Sequence, residues 1–139
     1  MAIITQTIKV KTKGQDSITN ITKKASKIIK ESKLKIGIVT IFVSGSTAAL
    51  TTIEYEPGLL SDFPKMLERI APQNMEYEHE KMWHDGNGHS HVKASLIGPS
   101  LTVPFNESKL MLGRWQQIVL VECDIKSRDR SLLLQIMGE

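Results

Sequence analysis

The alternation of apolar and polar positions predicts a strand at the start of the chain. Between residues 3 and 11, Ile4, Ile8 and Val10 fall on one face, and threonines and lysines fall on the other. This period of two is typical of a half-buried strand. Runs of β-branched or alternating residues predict further strands at 34–43, 47–56, 101–105, 116–123 and 131–137.

Two other segments repeat their apolar residues at helical spacing. The first begins at Asp16 or Ser17, which are both good N-cap residues, and runs to Lys33. The second runs over 59–70 and ends before Pro72, which cannot continue a helix. We therefore expect two amphipathic helices.

The segment 79–91 contains all four histidines of the chain. Its turn pairs Asp85-Gly86 and Asn87-Gly88 predict a loop. The alternation that follows, over 89–97, predicts another strand.

This order of elements predicts an α+β fold, a mostly antiparallel β-sandwich with two amphipathic helices, as one domain over 1–139. A parallel, doubly wound sheet needs a helix between most strands, and the last third of the chain lacks them. A barrel of alternating strands and helices needs about 200 residues or more. With 139 residues the chain is too short for such a barrel.

Composition narrows the classes of function. With 40 % hydrophobic and 24 % charged residues the chain is typical of a soluble protein, and no apolar run approaches the roughly 20 residues of a membrane span. The absence of a signal sequence and the single Cys123 favour the cytoplasm. A net charge of +3 favours small anionic partners, whereas dispersed lysines and 5 % aromatic residues argue against nucleic acid.

The histidines are the leading candidates for chemistry. On the predicted strand His89 and His91 point the same way, with His79 and His84 on the adjoining loop. Such imidazoles can surround a divalent ion, with Asp85 or a glutamate from another strand completing the shell. General acid–base catalysis and a solvated polar face are the alternatives.

Two carboxylates extend apolar rows of predicted strands. Glu122 continues the face of Ile118 and Leu120, and Glu54 extends a similar row. A carboxylate at the end of a core-facing row needs a partner. Catalysis and a structural ion pair with Arg128, Arg130 or Lys93 are both open.

The bend 44–47 combines small hydroxyl residues with a glycine, as in loops whose backbone N–H groups receive a phosphate. The same composition is common in plain turns. Arg128 and Arg130 are additional candidate donors to phosphate.

Short motifs in a fixed order carry a family resemblance over nearly the whole chain. Together they resemble the YjbQ-like family, whose members are often described as secondary thiamine-phosphate synthase enzymes. The motifs are Ser46-Thr-Ala-Ala-Leu with Glu54, Asp62, Tyr77-Glu-His79, Asn87 with Ser90-His91, Lys93-Ala-Ser-Leu-Ile-Gly98-Pro-Ser100, Leu112-Gly-Arg-Trp115-Gln116, and Glu122 with Arg130.

The resemblance implies a compact β-sandwich domain that assembles as a homotrimer with sites near the subunit boundaries. Where many members carry a histidine, this chain has Gly45, which removes one candidate ligand. His84 and His89 match no motif position. The polar motif positions correspond here to Glu54, Asp62, His79, Asn87, His91, Glu122 and Arg130.

The activity attributed to the family joins an aminopyrimidine methyl diphosphate to a thiazole phosphate and releases diphosphate. The resemblance thus implies a small phosphorylated metabolite as partner, bound by Ser46, Thr47, Asn87, Asp62 and Arg130. It further implies His79, His91, Glu54 and Glu122 as catalytic residues, with a divalent metal (Mg or Zn) at His79, His91 and Glu122 and no organic cofactor. A binding module for a phosphorylated metabolite and a metal-dependent hydrolase are the alternative functions.

Overall fold

The computed structural model describes all residues, Met1–Glu139. The chain forms eight strands and four helices. In chain order they are β1 (Ala2–Lys11), β2 (Ile18–Asn20), α1 (Thr22–Ser32), β3 (Ile36–Val43), β4 (Ala48–Ile53), α2 (Pro57–Ile70), α3 (Glu78–Trp83), α4 (Gly88–Ile97), β5 (Ser100–Asn106), β6 (Lys109–Leu110), β7 (Gln117–Glu122) and β8 (Asp129–Gly138).

The strands form two antiparallel sheets. The larger has the order β1-β8-β3-β5-β6, and the smaller has the order β2-β7-β4. Every pairing is antiparallel. The predicted α+β class with a mostly antiparallel arrangement is therefore confirmed.

The main core joins the inner faces of the two sheets. Helix α1 contributes Ile21, Ala25 and Ile29, which are fully buried. Burying such aliphatic side chains is the dominant favourable term in folding. The strand residues of this core are Ile8, Val10, Val39, Ile41, Val43, Ala48, Leu50, Val103, Phe105, Ile118, Leu120, Leu132, Leu134 and Ile136.

A second, smaller core covers the other face of the three-stranded sheet. Val119, Val121 and Cys123 pack there against Leu67 of α2 and Ala94 of α4. Helix α4 is thereby fixed on the small sheet, and its remaining faces are available for other contacts. None of the four helices has the length and apolarity to cross a membrane.

The outer face of the larger sheet carries exposed apolar side chains. Ile38 of β3 lies beside Met137 of β8, which lies beside Ile3 of β1, and Phe42 lies beside Leu133 in the same way. All five are exposed. We call this set the apolar sheet face. Exposed apolar residues on a protein surface are normally scattered singly, whereas these five lie next to one another.

The predicted strand over 89–97 is wrong, because this segment forms helix α4. Helical spacing turns His89, Lys93 and Ala94 inward, where they are buried, while Val92 and Leu96 are exposed. Lys93 donates to His89 on the inward face, and this polar pair stands where apolar residues are expected, so the apolar residues do not repeat with the helical period. The alternation of apolar and polar residues over 89–97 therefore does not reflect the structure of this segment.

The first helix begins later than predicted. The strand β2 occupies Ile18–Asn20, and α1 starts at Thr22, whose backbone N–H donates to Asn20 Oδ1. Asp16 has a φ of 66°, a left-handed conformation that no N-cap adopts. The short helix α3 was predicted as loop.

Candidate functional site

Helices α3 and α4 are held together at Gly88. Its backbone N–H donates to Glu80 Oε1 at 2.6 Å. A Cβ at this position would lie 2.7 Å from Cβ of Tyr77 and 2.8 Å from Glu80 Oε2, so a larger residue would force the two helices apart. This close approach brings the histidines of the two helices together.

Four polar side chains meet at this contact, and we call them the histidine cluster: His79, Asp85, Asn87 and His91. The rings of His79 and His91 are 4.4 Å apart between centroids, inclined at 48°. His79 Nε2 lies 3.2 Å from Asp85 Oδ1 and 2.9 Å from the amide group of Asn87. The sequence-based grouping of His79, Asn87 and His91 therefore corresponds to a spatial cluster.

Two neighbours, Asn87 and Asp85, lie within hydrogen-bonding distance of His79 Nε2. With its amide nitrogen turned to this side, Asn87 donates to Asp85 at 2.7 Å and faces His79 Nε2. A neutral Nε2 then accepts from Asn87, whereas a protonated Nε2 donates to Asp85. His79 Nε2 therefore lies between a donor, the Asn87 amide, and an acceptor, the Asp85 carboxylate.

An open pocket of about 270 Å³ lies between helix α4 and the loop that joins β3 to β4. His91 is half-buried in its wall on the helix side, and Gly45 and Ser46 form the loop side. A ligand in this pocket would contact an imidazole and a glycine-containing bend at once. The lining residues are Gly45, Ser46, Ala48, His91, Ala94, Ser95 and Pro99.

Behind this loop lies a second group of polar residues, the ion-pair network. Arg130 donates from Nε to Glu122 Oε2 at 2.9 Å, and from Nη2 to Glu122 Oε1 and to Thr47 Oγ1. Glu122 also accepts from Thr12 Oγ1 at 2.7 Å. Thr47 in turn donates to Asp124 Oδ2. The structural ion pair considered for Glu122 is thus present, and Arg130 is the partner.

The ion-pair network also includes Asp124, which is completely buried. Although burial acts to raise it, the pKa of Asp124 is lowered by hydrogen bonds from the Ile125 N–H, Thr47 and Arg128. Every oxygen of the two buried carboxylates is engaged inside the protein. The side chains of Glu122 and Thr47 therefore support the loop from behind and offer no free oxygen to a ligand.

Several predicted site residues are not brought together. The ligand atoms that lie within 4.8 Å of one another are those of His79, Glu80 and Asp85, whereas Glu122 pairs with Arg130, so the predicted metal set of His79, His91 and Glu122 is not assembled. Glu54, just after β4, and Asp62, on α2, are exposed and form no side-chain hydrogen bond or ion pair. The structure therefore offers no link between these two carboxylates and the pocket.

Sequence reasoning missed a buried lysine on the other face of α4. Lys93 is 1 % exposed, and its Nζ donates to Glu68 Oε2 at 2.8 Å and to His89 Nδ1 at 3.1 Å. The hydrogen bond from Lys93 lowers the pKa of Glu68. The only available signal was the spacing of four between His89 and Lys93, which is that of helical neighbours.

The buried lysine should make stability depend on pH. Burial, and next the charge of Lys93, lower the pKa of His89 from its ordinary 6.5, while Glu68, Glu80 and Asp16 oppose this shift. Below pH 6.5 the unfolded chain therefore binds the proton more readily than the folded chain. The stability that neutral His89 contributes is present above this pH and lost as pH falls through its folded-state pKa.

We expect His89→Asn to reduce this loss below about pH 6.5, because the asparagine oxygen accepts from Lys93 without gaining a proton. Urea denaturation at several pH values measures it. His84→Asn is the matched control, since His84 is exposed at the end of α3. Equal pH slopes for the wild type and His89→Asn would contradict the assignment.

A nucleophilic cysteine is not part of the site. Burial, followed by the neighbouring Glu122 carboxylate, raises the pKa of Cys123 to about 12. The thiolate, which is the reactive form, is therefore scarce at neutral pH.

The fold and the polar clusters define a class of small antiparallel sandwich proteins with a pocket between a histidine-bearing helix and a strand-connecting loop. The family model described as UPF0047 protein YjbQ-like matches residues 6–139. The chain belongs to this YjbQ-like family.

Relatives and solved structures agree with this membership. A UPF0047 protein of Methanothermobacter thermautotrophicus is 34 % identical over 139 residues, covering 100 % of this chain and 95 % of the relative. The UPF0047 protein YugU of Bacillus subtilis is 30 % identical, covering 96 % and 98 %. The crystal structure of a YbjQ-like protein of unknown function from Sulfolobus solfataricus P2 is similar with a TM-score of 0.90 and 30 % identity, covering 99 % and 100 %.

Proposed function

We propose that this protein is a small enzyme that transfers a group between phosphorylated metabolites, with the histidine cluster as its acid–base group. The observation that carries the proposal is the packing of His79 against His91 beside the pocket, with Asp85 and Asn87 on His79 Nε2. Two imidazoles, one of them in the wall of a pocket, are groups of the kind that act as general acids and bases.

The reaction that we propose is the one implied by the family resemblance, in which a thiazole phosphate displaces diphosphate from an aminopyrimidine methyl diphosphate. A carbon–nitrogen bond forms at the methylene carbon as its bond to the diphosphate oxygen breaks, and the leaving group takes the electron pair. A proton supplied by His91 would neutralise part of the charge that develops on that oxygen. His79 would then return a proton to His91.

The test is product formation. Purified protein, the two precursors and Mg²⁺ are incubated, and thiamine phosphate is separated by chromatography. The proposal requires turnover that grows in proportion to the enzyme concentration. Saturable binding of either precursor without product would instead support the alternative of a binding module.

A metal-dependent hydrolase is the second candidate, because side-chain ligand atoms of His79, Glu80 and Asp85 lie within 4.8 Å of one another. One nitrogen and two carboxylate ligands suit Zn²⁺ or Mg²⁺. Glu80 already accepts from Gly88, so it would have to share its carboxylate. Elemental analysis after purification without added metal, followed by phosphate-ester hydrolysis with and without chelator, separates this candidate from the transferase.

We further propose that three copies assemble through the apolar sheet face, as the family resemblance implies. Ile38 and Met137 are adjacent on this face, and burial of such a surface against a second copy would remove it from water. A homotrimer would have three times the mass of the 15.6 kDa chain.

Light scattering should show this mass for the wild type and a smaller species for Ile38→Lys, because a lysine cannot be buried in the interface without a partner. Ile70→Lys on α2 is the matched control, since Ile70 is exposed outside this face. A monomeric wild type, or a trimeric Ile38→Lys, would contradict the assembly.

A further inference from the structure

One donor of the buried Arg130 is unused. Its hydrogen bonds to Glu122 and Thr47 come from Nε and Nη2, and Nη1 donates none within the chain. Arg130 is 7 % exposed as a whole, and its Nη1 retains some contact with solvent. A charged donor that has no acceptor within the chain is available to an acceptor of a ligand.

Gly45 is the residue that leaves Nη1 uncovered. A Cβ at position 45 would lie 2.7 Å from Arg130 Nη1, which is closer than a carbon and a nitrogen can approach. Gly45 is exposed and lines the pocket that contains His91. The missing side chain therefore leaves Nη1 next to a loop residue that borders this pocket, although Arg130 itself lines a different surface pocket with Lys9 and Lys11.

The loop adds two backbone donors beside Gly45. The N–H groups of Ser46 and Thr47 donate no hydrogen bond to any backbone or side-chain acceptor of the chain. Thr47 is buried, so water does not easily replace the missing acceptor. Successive free N–H groups of this kind are a common element of anion-binding loops.

We infer that Gly45 creates a binding subsite for a phosphate group, in which Arg130 Nη1 and the loop N–H groups of Ser46 and Thr47 are the donors. This inference rests on the proposed function only for its choice of ligand class, because a phosphate group can bind there without turnover. Thr47 acts through its backbone, since its hydroxyl is occupied by Arg130 and Asp124.

The ion pair with Glu122 fixes the orientation of the guanidinium group and leaves one of its nitrogens, Nη1, without a partner. The planar fork of Arg130 presents Nε and Nη2 to the carboxylate, and this leaves Nη1 pointing towards Gly45. A phosphate oxygen therefore meets a donor that is already positioned, at little cost in side-chain entropy. Gly45 determines which ligands fit, because any side chain at this place would occupy the position of that oxygen.

The first experiment titrates inorganic phosphate and diphosphate into the wild type, Gly45→Val and Gly113→Val, with calorimetry at fixed ionic strength. Gly113 is an exposed loop glycine whose nearest side-chain neighbour is Gln116, so its variant is the matched control. We expect Gly45→Val to weaken binding at least about tenfold, the scale of a lost hydrogen bond to a charged group. Gly113→Val should bind like the wild type, and equal affinities in all three proteins would overturn the inference.

The second experiment needs no variant and so does not depend on how well Gly45→Val folds. Amide resonances of the wild type are followed during the phosphate titration, and those of residues 45–47 should shift saturably. Shifts confined to Lys9 and Lys11, which line another surface pocket together with Arg130, would overturn the inference.

A last variant separates this inference from the proposed function. His91→Gln should still bind phosphate, because the imidazole is not among the donors, even where turnover is lost. Turnover without phosphate binding in the wild type would overturn the phosphate subsite and support the proposed enzyme activity. Phosphate binding without turnover would support the subsite and overturn the proposed enzyme activity.

Discussion

Replacing Glu122 with glutamine is expected to lower the free energy of unfolding by about 3–5 kcal/mol, which is the usual cost of removing one partner from a buried ion pair. Glu122 is fully buried, and it accepts from Arg130, from Thr12 Oγ1 and from the Asp124 N–H. Glutamine keeps the size of the side chain but leaves the Arg130 cation without its counter-charge. Urea denaturation followed by circular dichroism measures the change.

Glu54→Gln is the matched control for this prediction. Both glutamates extend an apolar row of a strand, but Glu54 is exposed and has no charged partner. Its replacement should change the free energy of unfolding by no more than about 0.5 kcal/mol, as is usual for such surface positions. Similar effects in the two variants would show that the Glu122 ion pair does not stabilise the fold.

Much of the sheet structure could be predicted from the sequence because its period is simple. The strands β1, β3, β5, β7 and β8 lie within two residues of their predicted limits. Each has one face in the main core, so apolar and polar residues alternate or β-branched residues predominate. The pairing order could not be predicted in the same way, since β8 lies between β1 and β3 and joins distant parts of the chain.

Helix α4 shows where such patterns fail. A sequence pattern records whether residues are apolar, whereas burial in α4 depends on partners that come from other elements. Lys93 is buried because Glu68 of α2 and His89 accept its hydrogen bonds. A buried polar group that is paired in this way looks, in the sequence, like a solvent-facing one.

The candidate site could be predicted only in part, because the sequence does not show which elements meet in the fold. His79, Asn87 and His91 are close in sequence, and the resemblance grouped them correctly. Glu122 was grouped with them although it pairs with Arg130. The distinction depends on which face of β7 meets which neighbour, and that is fixed by the packing of the sheets rather than by the spacing of residues along one strand.

The proposed chemistry leads to the largest expected loss of activity, in His91→Gln. Removing a general acid–base group typically lowers the rate by about 10²–10⁴-fold, and we expect kcat to fall by this factor with KM nearly unchanged, since substrate affinity comes from other donors. Steady-state kinetics of thiamine phosphate formation measures kcat and KM for both proteins.

His84→Asn tests whether this loss is specific to the pocket. His84 is exposed and has a φ of 54°, a left-handed conformation that asparagine tolerates, so the fold should be preserved. This variant should retain the activity of the wild type. If it lost as much activity as His91→Gln, or if His91→Gln kept the rate of the wild type, the imidazole at the pocket wall would have no part in proton transfer. The pocket would then be a binding site alone.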